Sequence, residues 1–290
     1  MFNISIKNED YLTYILKDEN NNSHVEIVPE KGGIITKWKK QGQDIFYLDE
    51  ERFKNPQLSV RGGNPILFPI CGNLPDNIFH YQDKKYQLKQ HGFARDLPWQ
   101  VVAQSCDEKS AHLTLRLLSN KETMKVYPFE FEINFTYKLV ANKIIIEQEY
   151  INKSQEIMPF SAGFHPYFWC QDKQQIELII PATEYTNKTG DKTYPFDNSL
   201  DYEQEEIDIA FKKINSARAS FLNRKRNHKI TLEYSDFFTT LVFWTVKGKD
   251  FICVEPWSAP RNAINTGDKL IHLKPQQTYK ATLEMSVTGI

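Results

Sequence analysis

The chain has 290 residues, of which 40% are apolar and 13% aromatic, so it can fill a sizeable hydrophobic core and is not a largely disordered protein. Its 36 basic and 37 acidic residues leave a formal net charge of −1, which excludes a general nucleic-acid binder because such proteins carry a basic excess. A chain of this length can fold as one large all-β unit, and no change in composition marks a boundary. We therefore predict one domain over residues 1–290.

Signals for export and for membrane insertion are absent from the sequence. Lys7, Glu9 and Asp10 interrupt the stretch in which a signal peptide would be apolar. No apolar run approaches the roughly 18 residues that a membrane span requires. The four cysteines are far apart and form no CxxC pair, which suits a reducing compartment. We predict a cytoplasmic protein with no membrane and no nucleic-acid partner.

The chain up to residue 180 shows the alternation of apolar and polar residues that is typical of half-buried strands. In residues 129–139 every odd position is apolar or aromatic and every even position is polar. Successive side chains of a strand point to opposite faces, so this pattern predicts one buried and one exposed face. Other segments that look extended, by alternation or by isoleucine content, are residues 112–118, 143–150 and 175–180.

The second half contains a polar segment and further strand-like runs. Residues 187–206 are polar and acidic, and we expect an excursion or a long loop there. The alternation of Ile207, Ile209 and Phe211 fits a strand within residues 203–213, although a turn or two of helix fits as well. Alternation predicts further strands at residues 230–234 and 283–287, and continuous apolar runs predict strands buried on both faces at residues 241–244 and 251–254.

Helical periodicity is scarce along the whole chain. No window of about twelve or more residues places apolar side chains on one face of a helix. Many short strands separated by turn residues indicate an all-β fold, which we expect to be a large antiparallel sandwich with little helix.

Four clusters join a charged or titratable side chain to glycine, proline and aromatic residues. They read RGGNP at 61–65, HGFAR at 91–95, AGFHPYFW at 162–169 and EPWSAP at 255–260. Each key side chain also has a purely structural interpretation: a core histidine for His165, a turn for His91, a loop contact for Arg61 and an ion pair for Glu255. Local spacing does not decide whether the clusters meet. Glu255 is the hardest to dismiss, because a carboxylate after a buried strand is costly without a partner or a task.

If the clusters share one cleft, the chemistry that suits them is proton transfer. A carboxylate and a histidine at opposite ends of a small substrate can remove one proton and supply another. The sequence has no GxSxG nucleophile and no HExxH or closely spaced ligand set, so we expect neither a covalent intermediate nor a bound metal. Tyrosine and tryptophan beside the acid–base pair favour a substrate with apolar C–H faces and many hydroxyls, such as a sugar.

The segments RGGNPILFP, HGFAR, AGFHPYF and CVEPWSAPRNAIN, in that order, resemble the aldose 1-epimerase (galactose mutarotase-like) family over about residues 27–286. The resemblance implies a large antiparallel β-supersandwich and cofactor-free interconversion of the α and β anomers of sugars. It implies that Glu255 is the general base at the anomeric hydroxyl O1 and His165 the general acid at the ring oxygen O5. It also places His91 near O5 and Arg61 at the sugar hydroxyls. We expect the carboxylate to hold the pKa of His165 near or above neutrality.

The resemblance leaves the substrate open between a free aldohexose and a hexose 6-phosphate. Residues 243–247 lack the Trp-Asn-Pro stretch of the phosphate branch, which favours a free aldose. The HGFAR segment is shared with the phosphate branch, and Arg95 or Arg261 could contact a phosphate because arginine forks match phosphate oxygens. The acidic residue that would hold sugar hydroxyls is Asp208 or Asp236.

Two other classes of function remain open at this point. A carbohydrate-binding protein on the same scaffold would keep the cleft without turnover, but binding alone needs neither His165 nor Glu255. A glycoside-cleaving enzyme would need a second carboxylate placed for that reaction. Glu147 and Glu149 lie on a strand-like segment, and nothing places either of them in a cleft.

Overall fold

The computed structural model describes residues 1–55 and 57–289. Strands make up 51% of the structure and helices 9%, which confirms the predicted all-β class with little helix. Within the two described ranges, no helix has the length and apolar character needed to cross a membrane.

The strands and helices are numbered in chain order. Strands β1 to β13 are Phe2–Asn8, Leu12–Asp18, Ser23–Val28, Ile34–Lys40, Gln43–Asp44, Ile66–Leu67, Ile78–Tyr81, Lys84–Gln87, Gln100–Cys106, Ala111–Leu118, Phe131–Val140, Lys143–Asn152 and Met158–Phe160. Strands β14 to β25 are Gly163–Phe164, Tyr167–Trp169, Ile176–Ile179, Glu184–Thr186, Thr193–Pro195, Glu206–Phe211, Arg218–Asn223, His228–Tyr234, Thr240–Val246, Phe251–Trp257, Ile271–Leu273 and Thr278–Gly289. The α-helices α1 to α3 are Glu50–Lys54, Lys121–Val126 and Ala263–Thr266.

Two eight-stranded sheets form the body of the fold. The first has the strand order β16-β20-β21-β25-β12-β11-β10-β9, and the second has the order β18-β17-β19-β22-β23-β14-β6 with β15 also paired to β23. An N-terminal sheet, β1 to β5 in sequence order, and two small two-stranded sheets complete the set. Neighbouring strands in all five sheets run antiparallel.

The two large sheets face each other across an aromatic core. Phe135 of β11 lies 5.7 Å from Phe164 of β14, ring centroid to ring centroid, and Phe168 of β15 lies 5.2 Å from Phe221 of β20. These separations fall in the favourable range for aromatic pairs. Phe68, just after β6, is fully buried and contacts five other aromatic rings. The predicted antiparallel sandwich is thus confirmed.

The second sheet turns its other face toward a polar pocket. In β19, Ile207, Ile209 and Phe211 belong to the aromatic core, while the residues between them lie on the opposite face. The same alternation holds in β23, where Ile252 and Val254 are in the core. The opposite face of β23 is covered as well, so all seven of its residues are buried. This agrees with the prediction from the continuous apolar run.

One prediction about local structure was wrong. Glu255 does not follow the buried strand but lies inside it, because β23 continues to Trp257. Of the two alternatives for residues 187–206, an excursion fits better than one long loop, since the segment contains β18, which pairs with β17 as a hairpin. The segment for which strand and helix were both open is the strand β19.

Candidate active site

One pocket of about 240 Å³ brings the four sequence clusters together. All five predicted site residues line it: Arg61, His91, Arg95, His165 and Glu255. The other residues that line the pocket are Ser59, Val60, Gln90, Tyr167, Lys188, Glu206, Asp208, Trp244, Trp257 and Arg261.

Glu255 projects from β23 into this pocket and is almost completely buried, with 1% of its surface exposed. Its two carboxylate oxygens have different partners. Oε2 accepts a hydrogen bond from the indole Nε1–H of Trp257 at 3.1 Å, and Oε1 lies 3.4 Å from Nε2 of His165. One oxygen is therefore anchored by a donor, whereas the other faces the imidazole.

His165 sits in the short gap between β14 and β15, where the backbone N–H of His165 donates to the carbonyl of Pro65 at 3.1 Å. Its ring stacks on Tyr167 at 4.6 Å between centroids, and Trp244 meets its edge at 5.5 Å. Nδ1 is buried without a hydrogen-bond partner in the described part of the chain. The ring is thus held by packing, with Nε2 turned toward Glu255.

Burial shifts the pKa values of this pair toward their neutral forms. It raises the pKa of Glu255 well above its ordinary value, with a further contribution from Asp208 that Arg261 opposes. It lowers the pKa of His165 to about 3, and the positive charge of Arg95 acts in the same direction. The expectation that His165 would have a pKa near or above neutrality was therefore wrong, because desolvation of the imidazolium dominates.

His91 is held by the backbone of Gly72 in two places. The His91 N–H donates to the Gly72 carbonyl at 2.8 Å, and the Gly72 N–H donates to Nδ1 of His91 at 3.1 Å. Because Nδ1 is the acceptor, the neutral ring carries its proton on Nε2. Burial holds the pKa of His91 well below its ordinary value, and nearby positive charges add to this effect. The ring therefore presents a neutral donor in the pocket lining.

Arg61 and Arg95 add two guanidinium groups to the pocket wall. Arg95 donates to the carbonyl of Gln90 at 3.0 Å, and its Nε is buried without a partner in the described part of the chain. Among residues 1–55 and 57–289, neither guanidinium has a carboxylate within ion-pair distance. These two positive charges are thus not neutralised by the protein.

Of the two acidic residues that the sequence left open, Asp208 lines the pocket, whereas Asp236 borders a different surface cavity. Asp208 accepts a hydrogen bond from Arg261 at 2.7 Å, and Lys188 lies 3.5 Å from its second oxygen. The guanidinium of Arg261 also lies over the Trp257 ring, 5.3 Å from its centroid.

Sequence reasoning missed Lys188 and Glu206 and gave Trp244 no role in the site. Glu206 accepts a hydrogen bond from Trp244 Nε1 at 2.8 Å and pairs with Lys188 at 3.1 Å. Lys188 lies in the segment expected to be an excursion or a long loop, two residues after the end of β17. One signal for Glu206 was available in the sequence: Glu206 and Asp208 alternate with the buried apolar residues of β19 and so belong to its other face.

The same region contains a group of side chains that could hold a metal ion. One ligand atom each from His165, Cys253 and Glu255 lie within 4.8 Å of one another, and all three residues are buried. This group forms no closely spaced ligand motif in the sequence, because the histidine lies about ninety residues before the glutamate. Burial keeps the pKa of the Cys253 thiol well above its usual value.

The fold and pocket define a class of protein. A buried carboxylate in contact with a buried imidazole, within a ring of polar side chains, is equipped to move protons on a small polar ligand. The chain belongs to the aldose 1-epimerase family, whose model matches residues 14–286. It is thus a sugar epimerase, an isomerase, and the family expected from the sequence is confirmed.

Three known proteins illustrate the similarity. The crystal structure of the Slr1438 protein from Synechocystis sp. PCC 6803 matches with a TM-score of 0.95 and 46% identity, covering 100% of both chains. A galactose mutarotase-like protein from Clostridium acetobutylicum shares the fold, with a TM-score of 0.84, 19% identity and coverage of 100% and 99%. A protein of Escherichia coli K12 with the provisional name glucose-6-phosphate 1-epimerase is 23% identical over 260 residues, 84% of this chain and 83% of its own.

Proposed function

We propose that the protein interconverts the α and β anomers of a free aldohexose by general acid–base catalysis of ring opening, without a cofactor. The observation that carries this proposal is the 3.4 Å contact between Glu255 Oε1 and His165 Nε2 inside the polar pocket. Ring opening removes a proton from O1 and delivers one to O5. Both oxygens are bonded to C1, so an acid and a base that touch each other can serve both, and they need not stand at opposite ends of the sugar.

The proposed step assigns one proton transfer to each group. Glu255 takes the proton of the O1 hydroxyl while His165 gives a proton to O5, so the C1–O5 bond breaks as the C1=O1 double bond forms. Rotation about C1–C2 and ring closure with the two transfers reversed yield the other anomer. Each positioned proton-transfer group contributes ~10²–10⁴-fold in rate.

We assign one shared proton to the pair, which is compatible with the directions of both pKa shifts. Burial favours the protonated carboxyl of Glu255 beside a neutral His165. Transfer of that proton across the contact gives the carboxylate and the imidazolium that the step uses, without a proton from solvent. The catalytic form is therefore the singly protonated pair, whichever of the two residues carries the proton at rest.

The remaining pocket residues have the chemistry to hold the sugar. His91 offers a neutral Nε2–H donor, which we assign to the region of O5. Arg61 and Arg95 offer donors to hydroxyl oxygens, and Asp208 offers an acceptor to hydroxyl protons. Because sugar hydroxyls both donate and accept, a lining in which both signs of charge alternate suits a neutral sugar. This mixture is what favours a free aldohexose.

A hexose 6-phosphate is the second candidate substrate, and a specific observation favours it. Arg61 and Arg95 lack carboxylate partners among the residues described, so both could neutralise a phosphate, for which the guanidinium fork is well matched. Against it, Glu206, Asp208 and Glu255 line the same pocket and those of them that are ionised repel a dianion.

Glu255→Gln tests the acid–base proposal directly. The amide keeps the size of the side chain but cannot accept the O1 proton, so we expect the catalysed rate of anomer exchange, followed by polarimetry, to fall at least about 100-fold. Glu284→Gln is the matched control, because this carboxylate pairs with Lys143 on the first sheet, away from the pocket. Near-normal activity of Glu255→Gln would remove this residue from the mechanism.

The substrate is tested by comparing kcat/KM on α-D-glucose, α-D-galactose and α-D-glucose 6-phosphate. A free aldohexose as substrate predicts a higher value for one of the unphosphorylated sugars, and a strong preference for the phosphate overturns this choice. Calorimetric binding of a sugar without any acceleration of mutarotation would instead establish a carbohydrate-binding protein.

We also propose a cytoplasmic location. All four cysteines, Cys71, Cys106, Cys170 and Cys253, are free thiols, which suits a reducing compartment. Recovery of the protein in the exported fraction of fractionated cells would contradict this proposal.

A further inference from the structure

We propose that Trp257 is a positioning residue for Glu255: it fixes the plane of the carboxylate and keeps one of its oxygens beside His165. The inference rests on the acid–base function proposed above. It assigns to the indole N–H a task that differs from offering a ring surface to the sugar.

The geometry of β23 places the two side chains together. Glu255 and Trp257 are two residues apart on one strand, so both project to the pocket face. The indole Nε1–H donates to Oε2 at 3.1 Å, which leaves Oε1 at 3.4 Å from His165 Nε2. The terminal torsion of a glutamate is broad and nearly two-fold, so an unanchored carboxylate would turn freely about it. The single N–H donor selects one orientation.

The indole is itself held from two sides. The ring of His91 meets it nearly perpendicularly, at 5.6 Å between centroids, and the Arg261 guanidinium lies 5.3 Å from its centroid. Arg261 is fixed in turn by its 2.7 Å hydrogen bond to Asp208. Gly72 leaves the space for this arginine, because a Cβ there would lie 2.4 Å from Arg261 Cγ. Trp257 is therefore a rigid donor.

The hydrogen bond also favours the ionised form of Glu255, since an N–H donor stabilises a carboxylate more than a carboxyl group. Its removal should make the carboxylate harder to form. Removing the donor leaves the other charged and titratable groups around Glu255 in place. These groups are Asp208 on β19, Arg261 after β23, Arg95, His165, Tyr167 on β15, Cys253 on β23 and Cys71.

Trp257→Phe tests the role of the donor, because it keeps an aromatic ring and removes the N–H. A hydrogen bond to a charged group lost in this way should lower kcat about 10- to 100-fold, while KM should change less than about threefold. The alkaline limb of the kcat/KM profile, on which the pair loses its one proton, should move to higher pH. A loss of sugar stacking would raise KM instead. A loss of folded protein would lower the whole pH profile without moving its limb.

Two further variants separate the donor from the shape of the ring. Site-specific replacement of Trp257 by benzothienylalanine, which has sulfur in place of the N–H, should reproduce the loss of kcat and the shifted limb. Trp38→Phe is the control, because this buried tryptophan lies outside the pocket and its Nε1 has no partner in the described part of the chain. It should leave kcat and the pH limb unchanged. An unmoved pH limb and normal kcat in the benzothienyl variant would overturn the role of Trp257, whereas an inactive wild-type protein would overturn the proposed function itself.

Discussion

Two buried histidines that do not contact a carboxylate, His91 and His228, are kept neutral by the protein around them. Burial holds the pKa of His91 well below its ordinary value and lowers the pKa of His228 to about 4. In the unfolded chain both groups titrate near 6.5. Below that pH the unfolded state therefore binds more protons than the folded state, so the free energy of unfolding must fall as the pH falls toward 4.

The Glu255–His165 pair acts on this dependence in two opposite directions. The raised pKa of Glu255 lets the folded state bind more protons than the unfolded state, whereas the lowered pKa of His165 lets it bind fewer. Burial also lowers the pKa of His24, which therefore acts in the same direction as His91 and His228.

We expect acidification from pH 7 to pH 5 to lower the free energy of unfolding, and His228 contributes about 2 kcal/mol of this fall because folding lowers its pKa from about 6.5 to about 4. His228→Gln removes this contribution, so the loss of its free energy of unfolding over the same range should be smaller than that of the wild type by about 2 kcal/mol. Urea denaturation at the two pH values measures both losses. Equal losses in wild type and variant would show that His228 is not held neutral by the fold.

Strand β11 separates its two faces cleanly, as the alternation in the sequence predicts. Phe135 is completely buried and packs against Trp99, Tyr150 and Phe164. Lys138 lies on the other face, where it forms a partly exposed ion pair with Glu147. Phe135 and Lys138 thus belong to the same hydrogen-bonded strand but differ in how deeply their side chains are buried.

Truncation at these two positions should have very different costs. Phe135→Ala should lower the free energy of unfolding by about 3–5 kcal/mol, because it removes a large buried ring and leaves a cavity. Lys138→Ala should cost at most about 1 kcal/mol, because a surface ion pair contributes little. Urea midpoints at an unchanged slope measure both values. Comparable losses in the free energy of unfolding would mean that the buried face of β11 contributes no more to stability than its exposed face.

The elements that could be predicted from the sequence are the long ones with a regular period. The alternation at residues 129–139 and the apolar run at 251–254 each led to a strand close to its observed position, β11 and β23. Strands β14 and β15 have only two and three residues, too few for a period to be recognised. They exist because β23 and β6 supply backbone partners, which is information from outside the segment.

The same limit applies to the candidate site. The sequence left strand and helix both open for residues 203–213. The polar face of β19 therefore could not be assigned to a cleft. Asp208 was named only as one of two possibilities, and Glu206 was not named at all. Both project into the pocket because β19 pairs with β22, whose partner is β23. The positions of the acidic residues follow from sheet order, which one strand's sequence does not contain.

In the whole molecule, the pairing of β14 with β6 and with β23 brings together sequence clusters that are nearly two hundred residues apart. Gly163 pairs with Leu67 on one side and with Trp257 on the other. The segments that carry Arg61, His165 and Glu255 therefore lie side by side at one end of the second sheet. Spacing along the chain could not reveal this convergence, whereas the resemblance to a family did imply it.

We propose that residues 1–290 fold as one domain, because a single buried cluster connects the two large sheets and the N-terminal sheet. Leu16 of the N-terminal sheet, Phe135 of the first large sheet and Phe243 of the second belong to the same cluster. Partial unfolding of any sheet would expose apolar surface on its neighbours. We therefore expect a single calorimetric transition, with an enthalpy of about 200 kcal/mol near 60 °C and a van't Hoff enthalpy equal to it.

Phe135→Ala sharpens this test, because its ring contacts residues from two other parts of the cluster. In a one-domain protein the whole transition moves to lower temperature by several degrees and stays single. If the N-terminal sheet were an independent unit, part of the heat absorption would remain at the wild-type temperature. Two resolved transitions in either protein would contradict the proposal, since each would report a core that melts without the other.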